Sequence, residues 1–131
     1  MYEVGVVEQF EAAHRLHGDF GPATRTHGHT YRVELVLRGP QLRDDGTLCD
    51  LGRVGDALRQ AVSDLHYRDL DTVPALKGRN TTAEVVAEHL LNRLAGDLGT
   101  EAIDSIAVRL WESPSAFAGV ERSVPSPRAK P

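Results

Sequence analysis

Three histidines lie close together near the start of the chain: His14, then His27 and His29 within Thr26-His27-Gly28-His29-Thr30-Tyr31. Histidines at i and i+2 share a side when the segment is extended, because strand side chains alternate. Gly28 between them adds no bulk and lets the backbone twist. A third imidazole from a neighbouring strand would complete a three-nitrogen face and leave one position open for water or substrate. Three protein ligands with an open position characterise catalytic zinc, whereas structural sites are closed. The competing reading is two surface histidines paired by chance, and the spacing alone leaves both open.

The chain has 131 residues, enough for one domain with a core of its own. A formal charge of −4 and a pI near 5.8, with no run of Lys or Arg, argue against a nucleic-acid partner. Aromatic residues make up only 5 %, so platforms for stacking bases are missing too. The first residues carry no apolar signal core, and no stretch approaches the ~20 apolar residues of a membrane span. A cytoplasmic protein with no membrane partner is expected. Cys49 is the single cysteine, which excludes an intrachain disulfide and a multi-cysteine zinc cage. Any metal here is held by histidine.

The elements that must position these side chains are readable. Tyr2 to Phe10 is valine-rich and roughly alternating, a strand that runs on towards His14. His17 to Pro22 is a loop by its Gly and Pro content. Tyr31, Val33, Leu35 and Leu37 then alternate with mostly polar residues, a second strand with one core face. The two strands are expected to pair antiparallel, with the histidines near their connecting end. Asp50 is placed as the N-cap of a helix carrying Leu51, Val54, Leu58, Ala61, Val62 and Leu65. A second helix opens at Thr81-Thr82-Ala83-Glu84, a capping box with Thr81 as N-cap, and closes at Gly99. Ile103 to Trp111 is a further strand, ended by Glu112-Ser113-Pro114, and a short terminal strand fits Ser115 to Gly119. Residues 1–118 thus form the domain, and 119–131 are expected to be a Pro-rich disordered tail. The order implies an α+β layer: a four-stranded antiparallel sheet with two helices on one face. Lateral association into a barrel would cover its exposed edges.

In this order, Phe-x-Ala-Ala-His-x-Leu (Phe10 to Leu16), His-Gly-His-x-Tyr (His27 to Tyr31), a Gly-x-Leu-x-Asp-Leu turn (Gly46 to Leu51), Thr-x-Glu (Thr82 to Glu84) and a late strand ending in Glu112 form a specific set. It resembles the 6-pyruvoyl-tetrahydropterin synthase / 6-carboxy-tetrahydropterin synthase family over roughly residues 2 to 118. The resemblance implies a T-fold subunit, a homo-hexamer made of two trimers, and active sites between subunits. It implies a zinc ion on His14, His27 and His29, and a Glu112 carboxylate accepting hydrogen bonds from the amino-pyrimidinone edge of a pterin. The implied activity is that of a lyase acting on dihydroneopterin triphosphate, eliminating triphosphate with loss or rearrangement of the side chain.

The chain departs from the family pattern in its proton-handling residues. The carboxy-type enzymes usually carry a cysteine four residues before the first histidine of His-Gly-His, where this chain has Ala23. The family segment Leu-Asp-His-x-x-Leu-Asn corresponds to Leu65-His66-Tyr67-Arg68-Asp69-Leu70-Asp71, so His66 and Tyr67 stand at its Asp and His positions. One reading is a rewired enzyme in which His66 moves protons, Tyr67 donates one or stabilises an oxyanion, and Asp64, Asp69 or Asp71 orients His66. The other is a protein that has lost the reaction and serves another heterocyclic or aldehyde-type substrate, or binds without catalysis. His66 also fits a surface histidine after a helix C-terminus, and Tyr67 a packing residue. Arg25 is a candidate for a substrate phosphate or carboxylate, with a solvated loop arginine as its plain alternative. Thr82 is carried as a substrate-binding candidate beside its capping role. His17 and His89 are expected to be incidental.

Overall fold

The alternating N-terminal patterns become two 13-residue strands, β1 (Tyr2–His14) and β2 (His27–Gly39). Their antiparallel register sets Phe10 opposite Tyr31, Ala12 opposite His29 and His14 opposite His27. Since side chains alternate along a strand, all six project from one sheet face. The computed structural model describes residues 1–99 and 101–124. The sheet has five strands in the order β3-β1-β2-β4-β5, with β3 at Arg68–Asp69, β4 at Ser105–Ser113 and β5 at Ala116–Ser123. This corrects the four-stranded, wholly antiparallel expectation, because β3 pairs parallel to β1 through Ala12 and Ala13. A two-residue rung carries no periodicity for the sequence to display. Strand β5 also runs past Gly119, with Val120 opposite Val108 and Ser123 opposite Ser105, so 119–123 is paired strand and not tail. Residues 125–131 lie outside the described residues.

Helix α1 (Leu51–Ser63) starts as expected at Asp50, whose carboxylate accepts from the Gly52 and Arg53 N–H groups at 3.0 and 3.2 Å. Val54, Ala57, Leu58, Ala61 and Val62 are its buried stripe, while Leu51, read as part of that stripe, is 45 % exposed. Helix α2 (Ala83–Asp97) is capped by Thr82, which accepts from the Val85 N–H, and not by Thr81. The capping-box reading was one residue out of register: the third helical position is Val85, and Glu84 has no reciprocal bond to make there. At the other end the cap is Leu98 with φ −108°, so Gly99 supplies no left-handed turn.

Both helices lie on the sheet face formed by Val33, Leu35, Leu37, Ile106, Val108 and Leu110, all fully buried. Leu90 and Leu94 of α2 complete that layer; truncating such a leucine to alanine costs about 2–5 kcal/mol. The opposite face carries a charged ladder, with Arg38 on Glu3 at 2.9 Å and Glu34 between Arg32 and Arg109 at 3.3 and 3.8 Å. Among the described residues no helix is long and apolar enough to cross a membrane.

Candidate metal centre

The ends of β1 and β2 bring the three histidines together on the core face of the sheet. The direct pairing of His14 with His27 puts their ring centroids 4.6 Å apart, and His29 lies 5.1 Å from His14 and 4.8 Å from His27. One ring nitrogen from each falls within 4.8 Å of the others, so the triad can hold a metal ion. Beneath it Phe10 and Tyr31 stack at 4.8 Å and 14°, a rigid floor for the imidazoles. Gly28 is exposed, and a Cβ there would sit 3.8 Å from the Ala12 carbonyl, an ordinary contact. Within the chain, then, lack of bulk at Gly28 is not what permits the arrangement.

Each of two rings is held from behind. His14 Nδ1 lies 2.7 Å from the Thr81 carbonyl oxygen, and His27 Nδ1 lies 2.7 Å from that of Arg25. A carbonyl only accepts, so both Nδ1 atoms carry the proton and both Nε2 atoms present a lone pair. The His14 Nε2 atom is buried and has no hydrogen-bond partner among the described residues. An orphaned buried acceptor costs about 1–3 kcal/mol, and a cation coordinated there satisfies it. Burial, followed by the neighbouring His14, pushes the His29 imidazole below its ordinary range against the opposing pull of Glu112. That favours the neutral form a metal requires. Donor chemistry, tautomers and the orphaned atom all fit a metal ion.

The sequence matches the family model described as 6-pyruvoyl tetrahydropterin synthase over residues 3–123. The chain belongs to that family. A probable 6-carboxy-5,6,7,8-tetrahydropterin synthase of Halobacterium salinarum is 31 % identical over 126 residues, covering 85 % of this chain and 81 % of its own. The 6-carboxy-5,6,7,8-tetrahydropterin synthase of Haemophilus influenzae is 24 % identical over 139 residues, with 89 % and 96 % covered. The structure of Caenorhabditis elegans 6-pyruvoyl tetrahydropterin synthase superposes with a TM-score of 0.81 at 24 % identity, covering 93 % of this chain and 96 % of that one. That likeness establishes the shared T-fold.

Within this tetrahydropterin synthase fold, Glu112 stands one residue before the end of β4 and beside the triad, its Oε2 4.0 Å from His29 Nε2. The Tyr31 hydroxyl is buried with no hydrogen-bond partner among the described residues, and burial together with Glu112 and Asp71 pushes its pKa up. It stays protonated.

The residues read as proton carriers sit elsewhere. His66 is exposed, and its Nδ1 accepts the Glu11 N–H at 3.1 Å, which places its own proton on Nε2. Tyr67 is 78 % exposed, packs against the His66 ring at a tilt of 34° with centroids 3.8 Å apart, and has a left-handed φ of 58°. Among the described residues no hydrogen bond or ring contact joins either to the triad. Tyr67 and Asp69 do line one groove of about 550 Å³ with His29, Gly28 and Glu11. Among the described residues none of the acids suggested to orient His66 makes a hydrogen bond or ion pair with it. Asp64 pairs with Arg93, and Asp69 accepts from the Asp71 N–H at 3.0 Å. Asp71 bonds Thr81 and the Arg15 N–H. Arg25 is exposed and contributes its carbonyl, while the Thr82 hydroxyl is spent on the helix cap. Ala23, where the family cysteine is expected, is half-buried between Gly21 and Arg25 and has no proton to exchange. Asn80, which the sequence reading passed over, clamps the His17 backbone by bonds of 2.9 and 3.0 Å. It fixes the loop that follows His14.

Proposed function

We propose that this protein is a zinc-dependent lyase of the tetrahydropterin synthase type, acting on dihydroneopterin triphosphate or a related pterin. The observation that carries the reading is the buried His14 Nε2, with no hydrogen-bond partner among the described residues, in a triad that Glu112 borders. Zinc bound there would supply Lewis-acid polarisation of the substrate's side-chain oxygens. His14, His27 and His29 would hold it, and Glu112 would accept the paired N–H donors of the pterin edge. That carboxylate would hold the heterocycle beside the histidines. The groove between His29 and Tyr67 has the volume of a small-molecule site. His66 is the proposed proton carrier: the Glu11 N–H occupies its Nδ1, and its Nε2 makes no hydrogen bond among the described residues. Tyr67 and Asp69 would assist from the groove wall. The exposed β3 and β5 edges support lateral assembly of subunits, with the homo-hexamer as the proposed form.

A second reading has its own support. Position 23 is alanine and the His66 Nδ1 is bonded to the Glu11 N–H, so among the described residues neither of these two positions is joined to the triad by a hydrogen bond. This favours a pterin-binding protein without turnover, or a different heterocyclic substrate. Incubation of purified protein with dihydroneopterin triphosphate separates the two. Release of triphosphate that disappears in His66→Ala supports the rewired lyase, whereas saturable pterin binding with no product supports the second reading. Neither binding nor turnover rejects both.

A further inference from the structure

One charged group behind the triad has no place in the site as derived so far. Asp71 is half-buried in the short 3₁₀ turn Leu70–Thr72 that follows β3. Its Oδ1 accepts from the Thr81 hydroxyl at 3.0 Å and its Oδ2 from the Arg15 N–H at 2.9 Å. Thr81 is fully buried, and its Oγ1 also lies 3.3 Å from His14 Nδ1, beside the 2.7 Å contact of its carbonyl with the same nitrogen. A hydroxyl has one proton. With that proton committed to the carboxylate, Thr81 Oγ1 can present only lone pairs to His14. The imidazole therefore faces two acceptors, and its proton must reside on Nδ1. The Arg15 bond fixes the residue next to His14 at the same time.

We propose that Asp71, acting through Thr81, is a positioning residue that locks the tautomer and ring orientation of His14 for metal binding. The inference rests on the metal-site reading above and adds a chain of carboxylate, hydroxyl and imidazole behind it. Outer-shell partners of metal-binding histidines typically contribute about 10–100-fold in metal affinity. Asp71→Asn keeps the shape but reverses the polarity, because an amide can donate to Thr81 Oγ1 and release its proton towards His14.

The test is metal affinity of the full chain at fixed pH, by competition with a chromophoric chelator for zinc, together with the visible absorption of the cobalt-loaded protein. Asp71→Asn and Thr81→Val are expected to weaken binding by about 10–100-fold and to alter the cobalt bands. Thr81→Ser, which keeps the hydroxyl, is expected to bind like the wild type. Thr81→Val carries the test if Asp71→Asn does not fold. Wild-type affinity and spectrum in both variants would overturn the positioning role and leave the metal site standing. A wild-type chain that takes up neither zinc nor cobalt would overturn the metal reading and the inference with it.

Discussion

Two neighbouring regions at one end of the β1–β2 pair, the histidine triad and the β3 rim beside it, hold similar residue types under opposite constraints. At the metal end, His14 and His27 face each other across a strand pair, and backbone carbonyls fix both rings. At the β3 rim, His66 and Tyr67 follow a helix end, lie exposed and are held chiefly by Glu11's backbone, with Tyr67 N–H on its carbonyl at 2.6 Å. A strand pair with one buried face specifies its register strongly, because a one-residue slip would turn every core side chain to solvent. A two-residue rung specifies far less. The metal end is thus built to hold a fixed geometry, and the rim is where the chain can change its residues at small cost to the fold.

The largest expected effect breaks the first half of this contrast. His14→Ala should abolish the uptake of about one zinc per chain expected of a single three-histidine site, read by metal analysis of purified protein. Retention of stoichiometric zinc in that variant would remove the triad from the account. Next in size, Glu112→Gln should weaken pterin binding by about 10–100-fold, the equivalent of about 1.5–3 kcal/mol for a hydrogen bond to a charged group. Calorimetric titration with a pterin checks it, and zinc content should not move.

The rim half is sharpened by Tyr67→Gly. The left-handed conformation costs a side-chain-bearing residue about 1–2 kcal/mol, partly offset by glycine's greater entropy in the unfolded chain. Tyr67 is exposed and buries little, so the variant should gain up to about 1 kcal/mol in stability by denaturant titration. A loss of stability would show that its packing against His66 outweighs the backbone strain. The smallest effect concerns His89 on α2, whose pKa burial and then Arg93 hold below the ordinary 6.5. The unfolded chain then binds the proton more readily than the folded one. Its contribution is present above the ordinary value and lost as pH falls below it. His89→Gln should flatten the fall in stability of the metal-free protein below that pH.

The strands and helices were legible because their patterns have the period of the element and enough length to show it. Tyr31 to Leu37 alternates cleanly, and Val54 to Val62 repeats at helical spacing. The grouping of the three histidines was legible because His27 and His29 share a strand and an ordered series of motifs linked them to His14. Misreadings came where one residue of register decides the outcome. Two adjacent threonines offered the same cap, and only packing showed Thr82 on the helix and Thr81 turned inwards.

Sequence by itself therefore determined the α+β order through local period, and the family and the grouping of the three histidines through the resemblance of an ordered set of motifs spread along the chain. Tertiary structure alone decided what stands behind them. Thr81 and His14 are 67 positions apart, and no local pattern encodes that a carbonyl and a hydroxyl will meet an imidazole across that distance. The same holds for Asp71, which the chain order offers to His66 and the fold gives to Thr81. Such contacts follow from the way a turn after β3 and the start of α2 are pressed against the end of β1, which packing of the whole core dictates.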